Sequence, residues 1–394
     1  MRSEVEIGQS LIARARELAP ILAERAPRAA TERRIPVETI EDFRKAGFFR
    51  VLQPRRHGGY ELEPQVFYEI QMALAEGCMS SGWVFGVMGV HNWQIALFDP
   101  RAAAEVWATD DSVLISSSYM PKGQVTRVPG GFKMSGRWGF SSGVDHANWA
   151  FLGAIIPPEG SSGTPDFRTM LVPRKDFTVV DNWHVIGLRA TGSKEVVVED
   201  AFVPEYRTHS AVDGFRGTSP GLGPSSAPLY RLPFGQVFVR AVSAASIGAL
   251  QGAVTAFREF GAKRISSNDF SATAQDPIAQ AAVADAAVAV ADMKRELRDS
   301  FDSMLSRLRA GDQLDLQDRI RCRYQSAMNA ERCALHVARL LRSCGAQGIF
   351  ESNPIARFFA DIHAARAHYA NNPDRPGRNY GGVLLGLSNA DLFL

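Results

Sequence analysis

The hydrophobic residues of this chain change their spacing twice, and that alone restricts the folds open to it. Through residue 112 they recur at helical intervals, as in Ile7, Leu11, Ile12, Ala15, Leu18, Ala19 and Leu22. From 113 to 205 the period drops to two, and 113–119, 124–128, 132–138, 148–156, 169–173, 177–183 and 195–203 read as strands. Gly130-Gly131 and Gly192-Ser193 punctuate them. A long loop rich in Gly, Pro and Ser follows at 206–234. Helical spacing then returns over 237–262, 277–308, 316–344 and 354–369. The first of these is dense in small residues (Ala244, Ala245, Gly248, Ala249, Gly252), which predicts close helix packing. A helix buries a stripe and a sheet buries a face, so a β-layer between helical regions must pack against both. The predicted class is α+β: an N-terminal helical domain (1–112), a central antiparallel β-domain (113–205) and a C-terminal four-helix bundle (206–394).

Charge and composition exclude several functions. Lys and Arg number 44 against 42 Asp and Glu, so no global field draws in nucleic acid or an anionic membrane. Arg33-Arg34 and Arg55-Arg56 are short, mixed with acids, and read as solvated faces. No apolar run reaches the roughly 18 residues of a membrane span. Cys78, Cys322, Cys333 and Cys344 lack C-x-x-C spacing, which argues against zinc or disulfides and for a reducing, cytoplasmic setting. The opening segment, with Glu4, Glu6 and Glu17, reads as an amphipathic helix rather than a targeting peptide. Neither a strand-linked G-x-G-x-x-G nor a G-x-x-x-x-G-K-[ST] loop occurs, so the sequence offers no nucleotide domain of its own.

The chemistry-bearing residues gather in a few places. A strand enters Trp138-Gly139-Phe140-Ser141-Ser142-Gly143, and neighbouring strand residues face opposite ways, so Ser141 and Ser142 cannot share a pocket. Both hydroxyls could instead satisfy turn backbone. The same residues fit the G-x-S-x-G pattern of serine hydrolases, with Ser141 as nucleophile. That pattern needs a strand–turn–helix elbow, whereas Val144 to Phe151 reads as loop and strand. Trp138 could stack on an aromatic ligand or fill the β-core. His91, on an apolar helix between Trp83 and Trp93, is either a satisfied core residue or a proton acceptor near neutral pH. His363 and His368, on what reads as the last helix, are about 500 degrees of helix apart and make a poor metal pair. Phe67, Phe85, Met88, Met120 and the 206–234 loop suggest an apolar cavity.

The order of helices, β-domain and bundle, with Gly187-Leu188-Arg189-Ala190-Thr191-Gly192-Ser193 leading into Val196-Val197-Val198, resembles the acyl-CoA dehydrogenase superfamily over essentially the whole chain. Gly89-Val90-His91-Asn92-Trp93, Ile115-Ser116-Ser117-Ser118-Tyr119, Trp138 to Gly143, and His363 with His368 resemble one branch, the two-component flavin-dependent aromatic hydroxylases. The resemblance implies an oxygenase component that hydroxylates an aromatic, phenolic substrate. It would use dioxygen and reduced FMN or FAD, through a C4a-hydroperoxyflavin and without a metal. It also implies an NAD(P)H-dependent flavin reductase as partner and a homotetrameric assembly. By the same resemblance Ser142 faces flavin N5, and His368 lies over the reduced ring as a protonated or hydrogen-bonding imidazole. His91, Ser117 and Trp83 are assigned to the substrate phenol. Trp138, Ser141, Thr191 and Ser193 are assigned to the flavin ring, and Arg264 and Gln347 to its phosphate-bearing tail, across a subunit boundary. Acyl-CoA dehydrogenases carry a late catalytic glutamate, and the chain has none after Glu351. That absence argues against dehydrogenation with tightly bound FAD, which stays the alternative alongside attack on nitrogen, sulfur or an indole ring.

Overall fold

A computed structural model describes residues 3–157, 166–223, 227–265, 270–391 and 394. Ser3 opens α1 (Glu4–Glu32) with a reciprocal cap, its hydroxyl accepting from Glu6 N–H while the Glu6 carboxylate accepts from Ser3 N–H. Helices α2 (Val37–Ala46), α3 (Pro64–Gly77), α4 (Met79–Gln94) and α5 (Pro100–Val106) follow. Every residue of α4 is buried, which places this apolar helix at the centre of the molecule.

Seven strands come next: β1 (Ile115–Val128), β2 (Gly131–Ser141), β3 (Trp149–Ile156), β4 (Asp166–Pro173), β5 (Thr178–Val180), β6 (Lys194–Pro204) and β7 (Thr208–Ser210). They form one sheet in the order β5-β6-β2-β1-β3-β4-β7. Its core holds Phe132, Met134, Trp138, Leu152, Val196 and Val198. Two features differ from the sequence reading. Segments 113–119 and 124–128 fuse into the single strand β1, whose register against β3 shifts between Ser118 and Gly123. Strands β1 and β3 are also parallel, while the other pairs are antiparallel. Alternation reports which face a side chain takes and is silent on the direction of the neighbouring strand.

The expected 206–234 loop contains β7, the short helix α6 (Ala211–Arg216) and a 3-10 turn at Pro228–Arg231. The bundle is built from α7 (Phe234–Lys263), α8 (Pro277–Ala310), α9 (Leu316–Ser343) and α10 (Pro354–Ala365), with α11 (Asp374–Leu384) beyond. The small residues of α7 let it press on α3: a Cβ on Gly248 or Gly252 would lie 2.2 Å from the Met72 or Glu76 carbonyl oxygen. Helix α10 ends before His368, and α11 follows it, so the histidine is not on a final helix.

Candidate active site

A bulge aims the two consecutive serines. Pairing of β2 with β6 shifts register between Trp138 and Ser141, and Phe140 inside that shift is held at φ 65° with its ring exposed. A bulky side chain in the left-handed region costs about 1–3 kcal/mol and persists where its surroundings fix it. Beyond it, Ser141 Oγ lies 3.0 Å from Ser116 Oγ. Ser142 Oγ faces the other way, 3.1 Å from Trp83 Nε1 and 2.8 Å from Ser193 Oγ. Gly143 turns the chain at φ 71°, where a Cβ would also lie 2.6 Å from Met88 Sδ. Its N–H donates to the Thr191 carbonyl at 2.9 Å, joining the serine turn to the loop before β6. Lys194 and Asp145 pair across the same junction at 2.9 Å.

The hydroxyls form a chain with a fixed direction. Thr191 donates to the Leu188 carbonyl at 2.9 Å, and a hydroxyl has one proton to give. Ser193 therefore donates to Thr191 at 2.7 Å, and Ser142 donates to Ser193. Trp83 N–H donates to Ser142. Ser142 thus commits its proton inward and can offer a ligand only a lone pair. The bundle holds this loop from behind: the Asp361 carboxylate accepts from Leu188 N–H at 2.6 Å. Burial pushes the Asp361 carboxyl up to about 6, opposed by that N–H and by Arg357.

His368 caps the 3-10 turn Tyr369–Asn371, its Nδ1 accepting from Ala370 N–H at 3.1 Å. Its ring centroid is 5.7 Å from that of Trp83 and 6.5 Å from that of Phe238. Removal from water, reinforced by the Arg323 charge, lowers its pKa to about 4. The ring is therefore neutral at pH 7, with its proton on Nε2. The Ala370 N–H at Nδ1 suits the hydrogen-bonding form of the two expected ones.

His91 is the reverse case. Its Nδ1 lies 2.7 Å from the Ile115 carbonyl and must carry the proton, which leaves Nε2 a bare acceptor. That nitrogen is buried and has no partner among the described residues. Burial lowers the His91 pKa to about 4. Phe151 and Tyr119 stand edge-on to the ring at 5.3 and 6.2 Å. Tyr119 donates to Gln94 and packs 5.0 Å from Phe238, so Tyr119 and Phe238 link the His91 corner to that of His368. Ser117 is buried on the same strand as Tyr119. Ser142, Trp83, His368 and His91 therefore converge on one aromatic-lined region. Sequence patterns do not single out Phe238, one of many apolar residues in α7; only its neighbour His368 marks it.

Other expected residues lie elsewhere. Trp138 is fully buried in the β-core and donates to the Gly153 carbonyl at 2.9 Å. A Cβ on Gly123 or Gly136 would lie 2.8 or 2.7 Å from its ring. Trp138 therefore packs the sheet and has no face for a cofactor, which corrects the stacking expectation. Ser141 turns to Ser116 and, among the described residues, has no histidine or carboxylate partner, so it is not a hydrolase nucleophile. His146 contacts the Ile35 carbonyl at 2.8 Å and His363 the Phe359 carbonyl at 2.9 Å. Phe67 and Phe85 pack with Phe43, Phe48 and Phe49 inside the helical core, not on a cavity wall. Arg264 does meet the Gly345–Ile349 turn that carries Gln347, since a Cβ on Gly345 would lie 2.7 Å from Arg264 Nη2. Asn371, close to His368, reaches the Val242 carbonyl at 3.0 Å. From Val242 to Arg264 along α7 is roughly 33 Å at about 1.5 Å per residue, so within this chain the two groups are far apart.

The converging groups fit a reduced flavin. The Ser142 lone pair suits a ring N–H, the His368 Nε2–H suits a ring oxygen or anionic nitrogen, and Trp83 and Phe238 suit a flat aromatic surface.

Residues 241–373 match the family described as acyl-CoA dehydrogenase, C-terminal domain. The chain is 39% identical to the flavin-dependent monooxygenase, oxygenase subunit HsaA, of Rhodococcus jostii (strain RHA1), over 96% of this chain and 98% of that protein. It is 31% identical to the FADH(2)-dependent resorcinol hydroxylase, oxygenase component, of Rhizobium sp. (strain MTP-10005), over 96% of this chain and 94% of that one. The crystal structure of 3-HSA hydroxylase from Rhodococcus sp. RHA1 superposes with a TM-score of 0.93 at 38% identity, covering 98% of this chain and 99% of that chain. With this identity along nearly its whole length, the chain belongs to the family of oxygenase subunits of flavin-dependent monooxygenases, built on the acyl-CoA dehydrogenase fold.

Proposed function

We propose that this protein hydroxylates a phenolic ring, using dioxygen and reduced FMN or FAD delivered by a separate NAD(P)H-dependent reductase in the cytoplasm. The observation that carries the substrate class is the buried, unpartnered Nε2 of His91. A buried acceptor without a donor is costly by about 1–3 kcal/mol, and a phenol O–H would relieve it. By accepting a hydrogen bond from that O–H, neutral His91 raises electron density on the ring, which is what attack by an electrophilic oxygen requires. Phe151 and Tyr119 then confine the ring beside it.

When bound, the flavin supplies the electrons that activate dioxygen. The Ser142 lone pair and the His368 Nε2–H orient it, and Trp83 fixes Ser142 by donating to its oxygen. The aromatic lining keeps water from the reacting groups. We infer assembly as a homotetramer; a subunit contact near Arg264 and Gln347 is supported by their distance along α7 from the Asn371 anchor beside His368 and by the exposure of Ile349 and Phe350 beside them.

The test is anaerobic mixing with reduced FMN or FAD, followed by oxygen and a panel of phenols. Hydroxylated product should form with at least one phenol, and the His91→Phe variant should lose product at least tenfold while releasing hydrogen peroxide instead. Release of peroxide alone across the whole panel would reject the phenol reading.

A further inference from the structure

Two arginines lie inside the bundle. Arg240 on α7 and Arg323 on α9 are 2% and 3% exposed, and neither forms a salt bridge among the described residues. Arg240 donates to the Cys322 carbonyl at 3.2 Å and to the Ser300 hydroxyl at 3.4 Å, and its Nη1 has no partner among the described residues. Arg323 Nη1 donates to the Ala370 carbonyl at 2.9 Å, and its Nε has no partner among the described residues. Buried guanidiniums are ordinarily paired with carboxylates, because an uncompensated buried charge is expensive. Burial pulls both below their ordinary value. Around Arg323, Asp391 and Tyr369 favour its charge, whereas Arg240 and Arg375 oppose it.

Ala370 is where Arg323 meets the flavin corner. The same residue gives its carbonyl to Arg323 at 2.9 Å and its N–H to His368 Nδ1 at 3.1 Å. Asn371 anchors the turn from the other side by donating to the Val242 and Ala365 carbonyls at 3.0 and 2.9 Å. Around the His368 ring, α4 presents Trp83 and α7 presents Phe238, neither of which carries charge. The charge that acts on it comes from Arg323 on α9.

We propose that Arg323 is a positioning residue for His368: by clamping Ala370 it locks the imidazole as a neutral Nε2–H donor, and it supplies the corner's positive charge itself. A proton on Nδ1 would break the Ala370 bond and set an imidazolium beside a guanidinium, so both geometry and charge oppose it. The donor aimed at the flavin is thereby the same at every pH near neutrality. The relevance of that donor to flavin rests on the proposed function; the Arg323–His368 linkage does not.

The test is an NMR titration of the ligand-free protein labelled at histidine, with the His368 signals identified by their loss in His368→Gln. In the unmodified protein His368 should hold the neutral Nε2–H tautomer from pH 8 down to pH 6. In Arg323→Gln its midpoint should rise by at least one pH unit, a tenfold change in proton affinity, and both tautomers should appear. Arg323→Lys keeps the charge without the planar fork, so the midpoint should stay low while the tautomers mix. An Arg323→Gln titration identical to that of the unmodified protein would overturn the proposal, as would an imidazolium at pH 7. Should Arg323→Gln fail to fold, an unchanged tautomer ratio in Arg323→Lys would overturn it as well. If the titrations behave as expected but no phenol is hydroxylated, the linkage stands and the functional reading fails separately.

Discussion

Ser142 matters through the direction of its proton. The chain from Trp83 through Ser142, Ser193 and Thr191 ends on the Leu188 carbonyl, and that end fixes every donor before it. In the proposed binding mode Ser142 meets flavin N5, which carries a hydrogen when reduced and none when oxidised, so an acceptor-only Ser142 would discriminate between the two. Thr191→Val removes the group that takes the Ser193 proton. Ser193 can then donate to Ser142, and Ser142 is free to donate to a bare ring nitrogen. One hydrogen bond of about 1.4 kcal/mol corresponds to tenfold in affinity. The preference for reduced over oxidised flavin should therefore fall about tenfold in Thr191→Val and be retained in Thr191→Ser. Comparing anaerobic and aerobic binding titrations decides it, and an equal ratio in all three proteins would show that the chain's direction does not select the redox state. None of this could be read from spacing, because Trp83, Ser142 and Ser193 are distant in sequence. The alternation rule did separate Ser141 from Ser142, and the two do face opposite ways.

Helix α10 shows how one element serves the site without entering it. Asp361 reaches across to Leu188 N–H, so the bundle determines where the Thr191–Ser193 loop stands. Gly187 permits the approach, since a Cβ there would lie 2.1 Å from the Ala360 carbonyl oxygen. Asp361→Ala would leave the Leu188 N–H buried and unpaired, a loss of about 1–3 kcal/mol. The melting temperature should fall by a few degrees and reduced-flavin affinity should drop with it, whereas Asp361→Asn keeps an oxygen acceptor and should stay close to normal. Full flavin affinity in Asp361→Ala would show that the loop holds its own position. Long amphipathic patterns made α7, α8 and α9 legible to within a few residues, because helical periodicity accumulates over many turns. The end of α10 was not legible: Ala364-Ala365-Arg366-Ala367 favours helix, and the turn that stops it is fixed by Arg323 and by Val242, far away in sequence. The strand β7 escaped for a different reason, since its three residues open a segment rich in Gly, Pro and Ser that reads as loop.

Across the whole molecule, two properties follow from where apolar and titratable groups lie. Ile349 and Leu385 are 81% and 86% exposed on the bundle side, where the proposed tetramer would cover them. In the proposed tetramer Ile349→Asp should lower the mass in solution and weaken flavin binding without unfolding the protomer, and light scattering with circular dichroism would separate those effects. The second property is sensitivity to acid. His91 and His209 are both buried, and burial lowers each from 6.5 to about 4. Between those values the unfolded chain binds protons that the native protein does not, so the stability they contribute is present above about pH 6.5 and is lost as pH falls towards 4. At pH 5 the loss is about 2 kcal/mol per histidine by that linkage. His368 acts in the same direction. Asp361 acts in the opposite one: its pKa is raised from 3.8 to about 6, so the native state binds the extra proton and regains about 1 kcal/mol over the same fall in pH. The histidines outweigh it, and the melting temperature should decline steadily from pH 7 to pH 5. His209 makes the decisive variant, because it stacks on Phe98 and contacts Ser219, away from the flavin corner. His209→Gln should flatten the pH dependence while leaving flavin affinity unchanged, and a slope as steep as that of the unmodified protein would place the acid sensitivity in some other group.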